Sequence, residues 1–525
     1  MPIVPFSTLA ERPVDLRTAF CIVGAGVAGL LIASRLAEAG QQVVVLESGL
    51  DRFDARTDGL NEVEVTNAPY VGAMSGRSRI LGGSSSRYGG CMIPLTGHDM
   101  SPRPHVSLPG WPFSPAELQP YQREIDELFR LDDSSFESFS HSDLPLRHED
   151  LDCRWPKWIA PRYRNVSFVL RETIARNPNL TVWLGATVTG FGLDAERGRL
   201  EAITARDFSG RSLTVRAQRF VLAAGTIETT RLLLQMDLQS GERIFENCDA
   251  LGRYFQDHLS LRLGEVVPID RERTSRLFGR HYRAGVRRSA HLELSAAAQR
   301  KNRVAGAFVR VEADVAEHRS IRWARSGFKE KASGSNLLHL RDAVRDSKDI
   351  SRLLFDRFAR RRLWMPEGVP IALQFVVEQV PMWSNRIRLA RSPDALGSPK
   401  ADLSWRVGET EERTFRTSVA VTRAYWSASG FDRICPVRWD RDLEDPSKSV
   451  AERARDWAHP SGTTRMGSDP RTSVVGSDLD CHHIPNLSIV SASVFPTAGV
   501  SNPTLTLMQL ALRRADKFLG KSARQ

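Results

Sequence analysis

The chain is poor in the residue patterns that would place it outside the cell or in a membrane. Its 525 residues include six cysteines, Cys21, Cys91, Cys153, Cys248, Cys435 and Cys481. They show no C-x-x-C spacing, so neither a disulfide framework nor a zinc site is signalled, no metal is expected, and a reducing compartment fits best. No run of about eighteen uncharged apolar residues occurs, which argues against a spanning helix. The first twenty residues carry Pro2, Pro5 and Pro13 among Glu11, Arg12, Asp15 and Arg17. They lack the unbroken apolar stretch of a secretory signal, and the expected location is the cytoplasm.

The excess of 73 Lys and Arg over 62 Asp and Glu gives a formal charge of +11, much of it between Arg271 and Arg362. No aromatic-studded basic motif or zinc spacing accompanies it, so a solvated basic face is expected and no nucleic-acid partner. Residues 337–364 read as an amphipathic helix ending in Arg360-Arg361-Arg362. Such a helix packs on a domain with arginines favourable to its C-terminal dipole, or touches an anionic membrane surface or a partner subunit. The length suggests two domains.

Near the start, Ala19–Val23 is a short apolar run, Leu30–Gly40 has helical periodicity ending at a glycine, and Val43–Glu47 is a second apolar run. The linking segment is Gly24-Ala25-Gly26-Val27-Ala28-Gly29, and the whole reads as a strand–helix–strand unit that binds a dinucleotide. Gly24 permits the tight turn, Gly26 lets a diphosphate approach the backbone, and Gly29 allows close helix packing. Glu47 is placed to accept hydrogen bonds from a ribose diol. The segment Gly76–Cys91 is too rich in glycine and hydroxyls for a core element and reads as a loop closing on a cofactor. Within it Arg79, Gly82, Gly83, Ser84, Ser85, Tyr88, Gly89, Gly90 and Cys91 are candidate contacts.

Further on, Leu180–Val188 reads as a strand, Leu200–Ala205 and Leu213–Ala217 as a small meander, and Arg219–Gly225 as a return strand. Phe375–Val380 and Asn385–Leu389 have the pattern of sheet strands, and Gln379 is a candidate contact for substrate hydroxyls. At the other end stand His459-Pro-Ser-Gly-Thr-Thr-Arg-Met-Gly467 and, ahead of an apolar helix from Leu505 to Lys517, Asn502-Pro503-Thr504-Leu505-Thr506.

These segments, with Phe220–Thr229 and Gly252–His258, resemble the glucose-methanol-choline (GMC) oxidoreductase family, most closely in motif style the pyranose oxidase and glycoside 3-oxidase or dehydrogenase branch. The resemblance implies an α/β fold: a discontinuous Rossmann-type FAD-binding domain (1–98, 165–258 and 440–525) with an inserted α+β substrate domain (99–164 and 259–439) containing a mostly antiparallel sheet. It implies His459 and Asn502 as the catalytic pair, and Val188, Ala492, Ser493, Pro503 and Thr504 as FAD contacts. Relatives usually carry aspartate where this chain has Ser491, and some link FAD through a histidine where it has Ser86-Arg87-Tyr88, so non-covalent FAD is expected. The implied activity is oxidation of an alcohol, with a sugar or glycoside secondary hydroxyl first. An aminocyclitol, aliphatic or aromatic alcohol is the alternative, and a non-catalytic FAD-binding protein a third. Oxygen or another acceptor would take the electrons.

Chemically the pair makes sense. An alcohol releases hydride readily only while its proton is being removed, a neutral imidazole can take that proton, and a carboxamide can hold the oxygen without competing for it. The backbone after Pro503, at a helix N-terminus, offers N–H donors where negative charge develops, and Thr504 must be the first of them because proline has no N–H.

Overall fold

The computed structural model describes residues 3–9, 13–139, 143–144, 148–194, 198–314 and 351–521. Strands buried on both faces need continuous apolar sequence, and all five residues of Val43–Glu47 are buried. This strand and Val14–Val23 lie at the centre of a parallel sheet in the order Ile3–Pro5, Leu180–Leu184, Val43–Glu47, Val14–Val23, Ser212–Leu222. Phe20 is opposite Val43, and Val23 opposite Leu46. The segments expected as a meander strand and a separate return strand are one strand, Ser212–Leu222, in register with Val14–Val23 from Leu213 to Leu222. On the other side it pairs first antiparallel with Arg199–Arg206 and then, over Phe220 to Leu222, parallel with Leu487–Ile489. The C-terminal sequence thereby returns to the sheet begun at the N-terminus.

The helix Val27–Glu38 leaves the first strand through the glycine turn and packs beside the helix Pro503–Phe518. Both belong to one core with the parallel sheet. Trp111, Leu118, Tyr121, Ile125 and Phe129 join that core too, because the helix Pro120–Leu128 lies against Pro503–Phe518.

A second core underlies an antiparallel sheet in the order Val437–Trp439, His258–Val266, Ile371–Glu378, Ala307–Ala313, His291–Leu294, Leu151–Arg154. The helix Glu409–Ala428 covers one face. On the other, Phe308, Val376 and Val500 form a small cluster against Trp457. This is the expected α/β fold class with its antiparallel second sheet.

Of the basic amphipathic segment, residues 337–350 lie outside the described residues, and residues 351–358 are helical. Arg352, Arg360 and Arg362 converge on Glu272 and Asp356, so much of the expected basic cluster is paired. Among the described residues no helix is long and apolar enough to cross a membrane.

Candidate active site

A cavity of about 800 Å³ runs from the glycine turn to the loops carrying His459 and Asn502. Its nucleotide-like end is built from backbone. Gly24 has φ +101°, and a Cβ there would lie 2.7 Å from the Ala223 carbonyl oxygen, so only glycine fits. A Cβ on Gly29 would lie 1.9 Å from the Gly24 oxygen. Gly26 differs, since an added Cβ would meet nothing within 4 Å. The bare backbone there serves the cavity rather than the packing. Gly26 is also the N-cap of Val27–Glu38 and has no side chain to cap it, so the first N–H groups and the positive end of the helix dipole face the space.

Most of the expected cofactor contacts line this cavity: Gly24, Gly26, Glu47, Arg79, Gly83, Ser84, Ser85, Tyr88, Gly89, Gly90, Cys91, Val188, Ala492, Pro503 and Thr504. Gly29, Gly82 and Ser493 do not. Gly29 faces the turn, as its packing role requires. Gly82 is pressed on Asn165, whose Oδ1 lies 1.9 Å from where a Cβ would be. The Ser493 N–H donates to Ser491 Oγ at 3.2 Å and its hydroxyl accepts from Thr464 at 2.6 Å, which turns both inward. Gln379 corrects the expectation of a substrate contact. It is fully buried outside the cavity, where its Oε1 accepts from Trp405 Nε1 and the Asp257 N–H and its Nε2 donates to the Arg406 carbonyl.

Two lining residues are already engaged. The Glu47 carboxylate accepts the Ala25 and Gly49 N–H groups, both at 2.7 Å, which fixes it at the strand end with lone pairs remaining for a diol. Arg79 donates to Asn61, Ser48 and Leu60 and pairs with Glu228 at 3.0 Å, so it braces the wall. Despite burial, Arg231 and Arg79 hold the Glu228 carboxyl far below the usual range. Tyr88 Oη, by contrast, is buried in the cavity wall without a hydrogen-bond partner. A buried hydroxyl without a partner is costly. This orphan, the open space over Gly26 and the uncapped helix fit a dinucleotide cofactor seated here.

At the far end, the sequence pair is in contact: Asn502 Nδ2 lies 3.1 Å from His459 Nε2. A third residue, unassigned from sequence, completes the arrangement. His258 Nδ1 lies 2.8 Å from His459 Nδ1, and His258 Nε2 lies 2.8 Å from the Gly499 carbonyl oxygen. These contacts fix the protons. A carbonyl only accepts, so His258 Nε2 carries hydrogen. In the neutral ring its Nδ1 is then an acceptor, which requires His459 Nδ1 to donate. The lone pair of His459 is therefore on Nε2, where it accepts the Asn502 Nδ2–H at the edge of the cavity. Burial, then His258 and Arg310, push the His459 pKa well below its ordinary value, and burial lowers that of His258. Both rings are neutral at pH 7.

Asp257 anchors this end. It accepts the His459 N–H on both oxygens at 2.9 Å, the His258 N–H at 2.6 Å, and the Tyr70 hydroxyl. Burial pushes its pKa up to about 8 against those donors. Ligand atoms of Asp257, His258 and His459 lie within 4.8 Å of one another, but a proton between the two imidazoles and three donors on the carboxylate already occupy that space. The sequence held one signal for His258, its place in the run Gly252–His258. Only folding brings it to a histidine 201 residues away.

Known proteins resemble the chain in sequence and in fold. Residues 381–511 match the family described as GMC oxidoreductase, and residues 22–66 match an NAD(P)-binding Rossmann-like domain. The chain is 24% identical to the 2-methyl-1,2-propanediol dehydrogenase of Mycolicibacterium austroafricanum over 95% of each. It is 27% identical to the fructose dehydrogenase large subunit of Gluconobacter japonicus over 64% of this chain and 53% of that one. In fold it is similar to formate oxidase of Aspergillus oryzae, with a TM-score of 0.60, 17% identity, and 96% and 98% of the two chains covered. With the dinucleotide cradle, the imidazole pair and these matches together, the chain carries a GMC oxidoreductase domain at residues 381–511 behind a Rossmann-like segment at 22–66, and is an FAD-dependent oxidoreductase acting on CH–OH donors.

Proposed function

We propose that this protein oxidises a secondary hydroxyl of a sugar or glycoside, with His459 as the base and Asn502 as its partner. The observation that carries the base assignment is the proton order from Gly499 through His258 to His459, which leaves the lone pair of His459 on Nε2, at the edge of the cavity. A substrate hydroxyl entering between the two side chains donates its proton to Nε2 and accepts the Asn502 N–H, so the oxygen is held while its proton departs. Bound FAD supplies the acceptor for the hydride that leaves the carbinol carbon.

The glycine turn, Glu47, Tyr88, Val188 and Ala492 would hold that cofactor. The N-terminus of Pro503–Phe518, with Asn502 as an N-cap that makes no side-chain cap bond, presents Thr504 and its positive end where negative charge develops. Attachment is non-covalent: His459 is the one histidine among the described lining residues, and burial pushes the Cys91 thiol up to about 12. We assign the cofactor side to 1–98, 165–258 and 440–525 and the substrate side to 99–164 and 259–439. Trp158 and Trp457 line the cavity and give it the aromatic surface on which sugar C–H groups pack, and the fructose dehydrogenase relative supports the same class.

The test is anaerobic titration of the yellow protein with sugars, glycosides and simple alcohols. Bleaching of the flavin is expected first and fastest with a sugar or glycoside. Equal or faster bleaching by aliphatic, aromatic or aminocyclitol alcohols would replace that substrate class, and no bleaching by any would favour a binding role.

A further inference from the structure

The wall beside His459 carries positive charge that the proposed chemistry does not use. Arg280, Arg287 and Arg310 all line the cavity. Arg287 comes from the strand Val286–Arg288, opposite Trp158, and its guanidinium lies 3.7 Å from the centre of that ring. Arg310 comes from Ala307–Ala313 and sits between two rings, 5.9 Å from the centre of Trp158 and 5.4 Å from that of Trp457. Trp457 is two residues before His459.

Glu312 pairs with Arg310 at this wall, bound to its Nη2 at 3.2 Å. Asp456, also lining, is engaged by the Val71 and Gly72 N–H groups. Among the described residues no carboxylate pairs with Arg287 or Arg280. The Nε atoms of Arg287 and Arg310 are buried without a hydrogen-bond partner. An arginine fork buried in a cavity with donors unmatched is costly alone and well matched to two oxygens of an anion. This end is distinct from the diphosphate cradle, which the glycine turn and the N-terminus of Val27–Glu38 provide.

We infer that the hydroxyl-bearing substrate also carries an oxyanion, a carboxylate or a phosphate or sulfate ester, held by Arg287 and Arg310 beside His459. The inference rests on the proposed alcohol oxidation and narrows it to acidic sugars or glycosides. It also gives the cation near the base a purpose. Arg310 helps to depress the basicity of His459 and burial pulls Arg287 down to about 10. An anion between them would relieve both effects as substrate binds.

The experiment uses the FAD-loaded protein in two arms. In the first, acetate, sulfate and inorganic phosphate are titrated while flavin absorbance and tryptophan fluorescence are followed. In the second, anaerobic flavin reduction is compared for a neutral sugar, its uronate and its phosphate ester. We expect saturable binding of at least one oxyanion, competitive with the neutral sugar, and kcat/KM about 10- to 100-fold higher for an acidic member than for the neutral one. Preference for the uronate assigns a carboxylate, and preference for the ester a phosphate. Arg287→Met should shrink the acidic-to-neutral ratio about tenfold or more, and Arg287→Lys should restore part of it. Neutral sugars that bleach the flavin while no oxyanion binds and no acidic member is preferred would overturn the inference and leave the alcohol oxidation standing. A ratio unchanged in Arg287→Met with flavin retained would overturn it as well.

Discussion

His459 is a base because of what its other nitrogen does. Its Nδ1 proton goes to His258 only while His258 is turned by the Gly499 carbonyl, so the reactive tautomer is set two hydrogen bonds away from the substrate. Replacing His258 by Phe removes the acceptor and frees the ring to rotate or change tautomer. We expect flavin reduction to slow about 10- to 100-fold, with FAD retained and the pH profile displaced, whereas lost packing alone would leave that profile in place. Protonated His459 cannot act, and its pKa lies well below 6.5 because of burial, His258 and Arg310. The sign follows: the rate of flavin reduction holds as pH falls through 6.5 and declines only below it. A decline beginning above 6.5 would show a base in contact with water.

The elements contribute through their ends. The glycine turn and both helix N-termini were legible in the sequence, because steric rules at Gly24 and Gly29 act over a few residues and leave a local signature. The two glycines nearest the helix start do different things, which gives a paired test. Gly29→Ala places a methyl 1.9 Å from a backbone oxygen, and should lower stability by about 1–3 kcal/mol and release FAD. Gly26→Ala meets nothing within 4 Å, so its thermal transition should stay near wild type while the flavin-to-protein ratio falls. A Gly26→Ala protein that binds FAD normally would show that the diphosphate does not pass over that residue. Less legible were Gln379 and Ser493. Their polar groups read as ligand contacts because sequence does not say which way a side chain turns, and buried partners such as Trp405 Nε1 and Ser491 Oγ come from distant or inward-facing chain.

At the scale of the molecule, the two sheets are tied at the active site by charge as well as by packing. The fully buried Glu378, at the end of Ile371–Glu378, accepts Arg103 through contacts of 2.5 and 2.6 Å and the N–H groups of Gly306 and Gly499. Gly499 is the residue whose carbonyl turns His258. Arg103→Met would leave that carboxylate buried with its cation gone, and should destabilise by about 3–5 kcal/mol. Adding Glu378→Gln should recover part of the loss, and a double variant no more stable than the single would mean the pair is not coupled. None of this was readable beforehand, because pairings across hundreds of residues, like His258 with His459 or the arginines with the tryptophan rings, carry no local pattern. What was readable was that Asn502 and His459 belong together. The most direct test is the rate of anaerobic flavin reduction by the best sugar substrate in His459→Gln against wild type, both carrying a full complement of FAD. We predict a fall of about 10²- to 10⁴-fold with the yellow colour unchanged. Reduction at the wild-type rate would contradict the assignment of His459 Nε2 as the base.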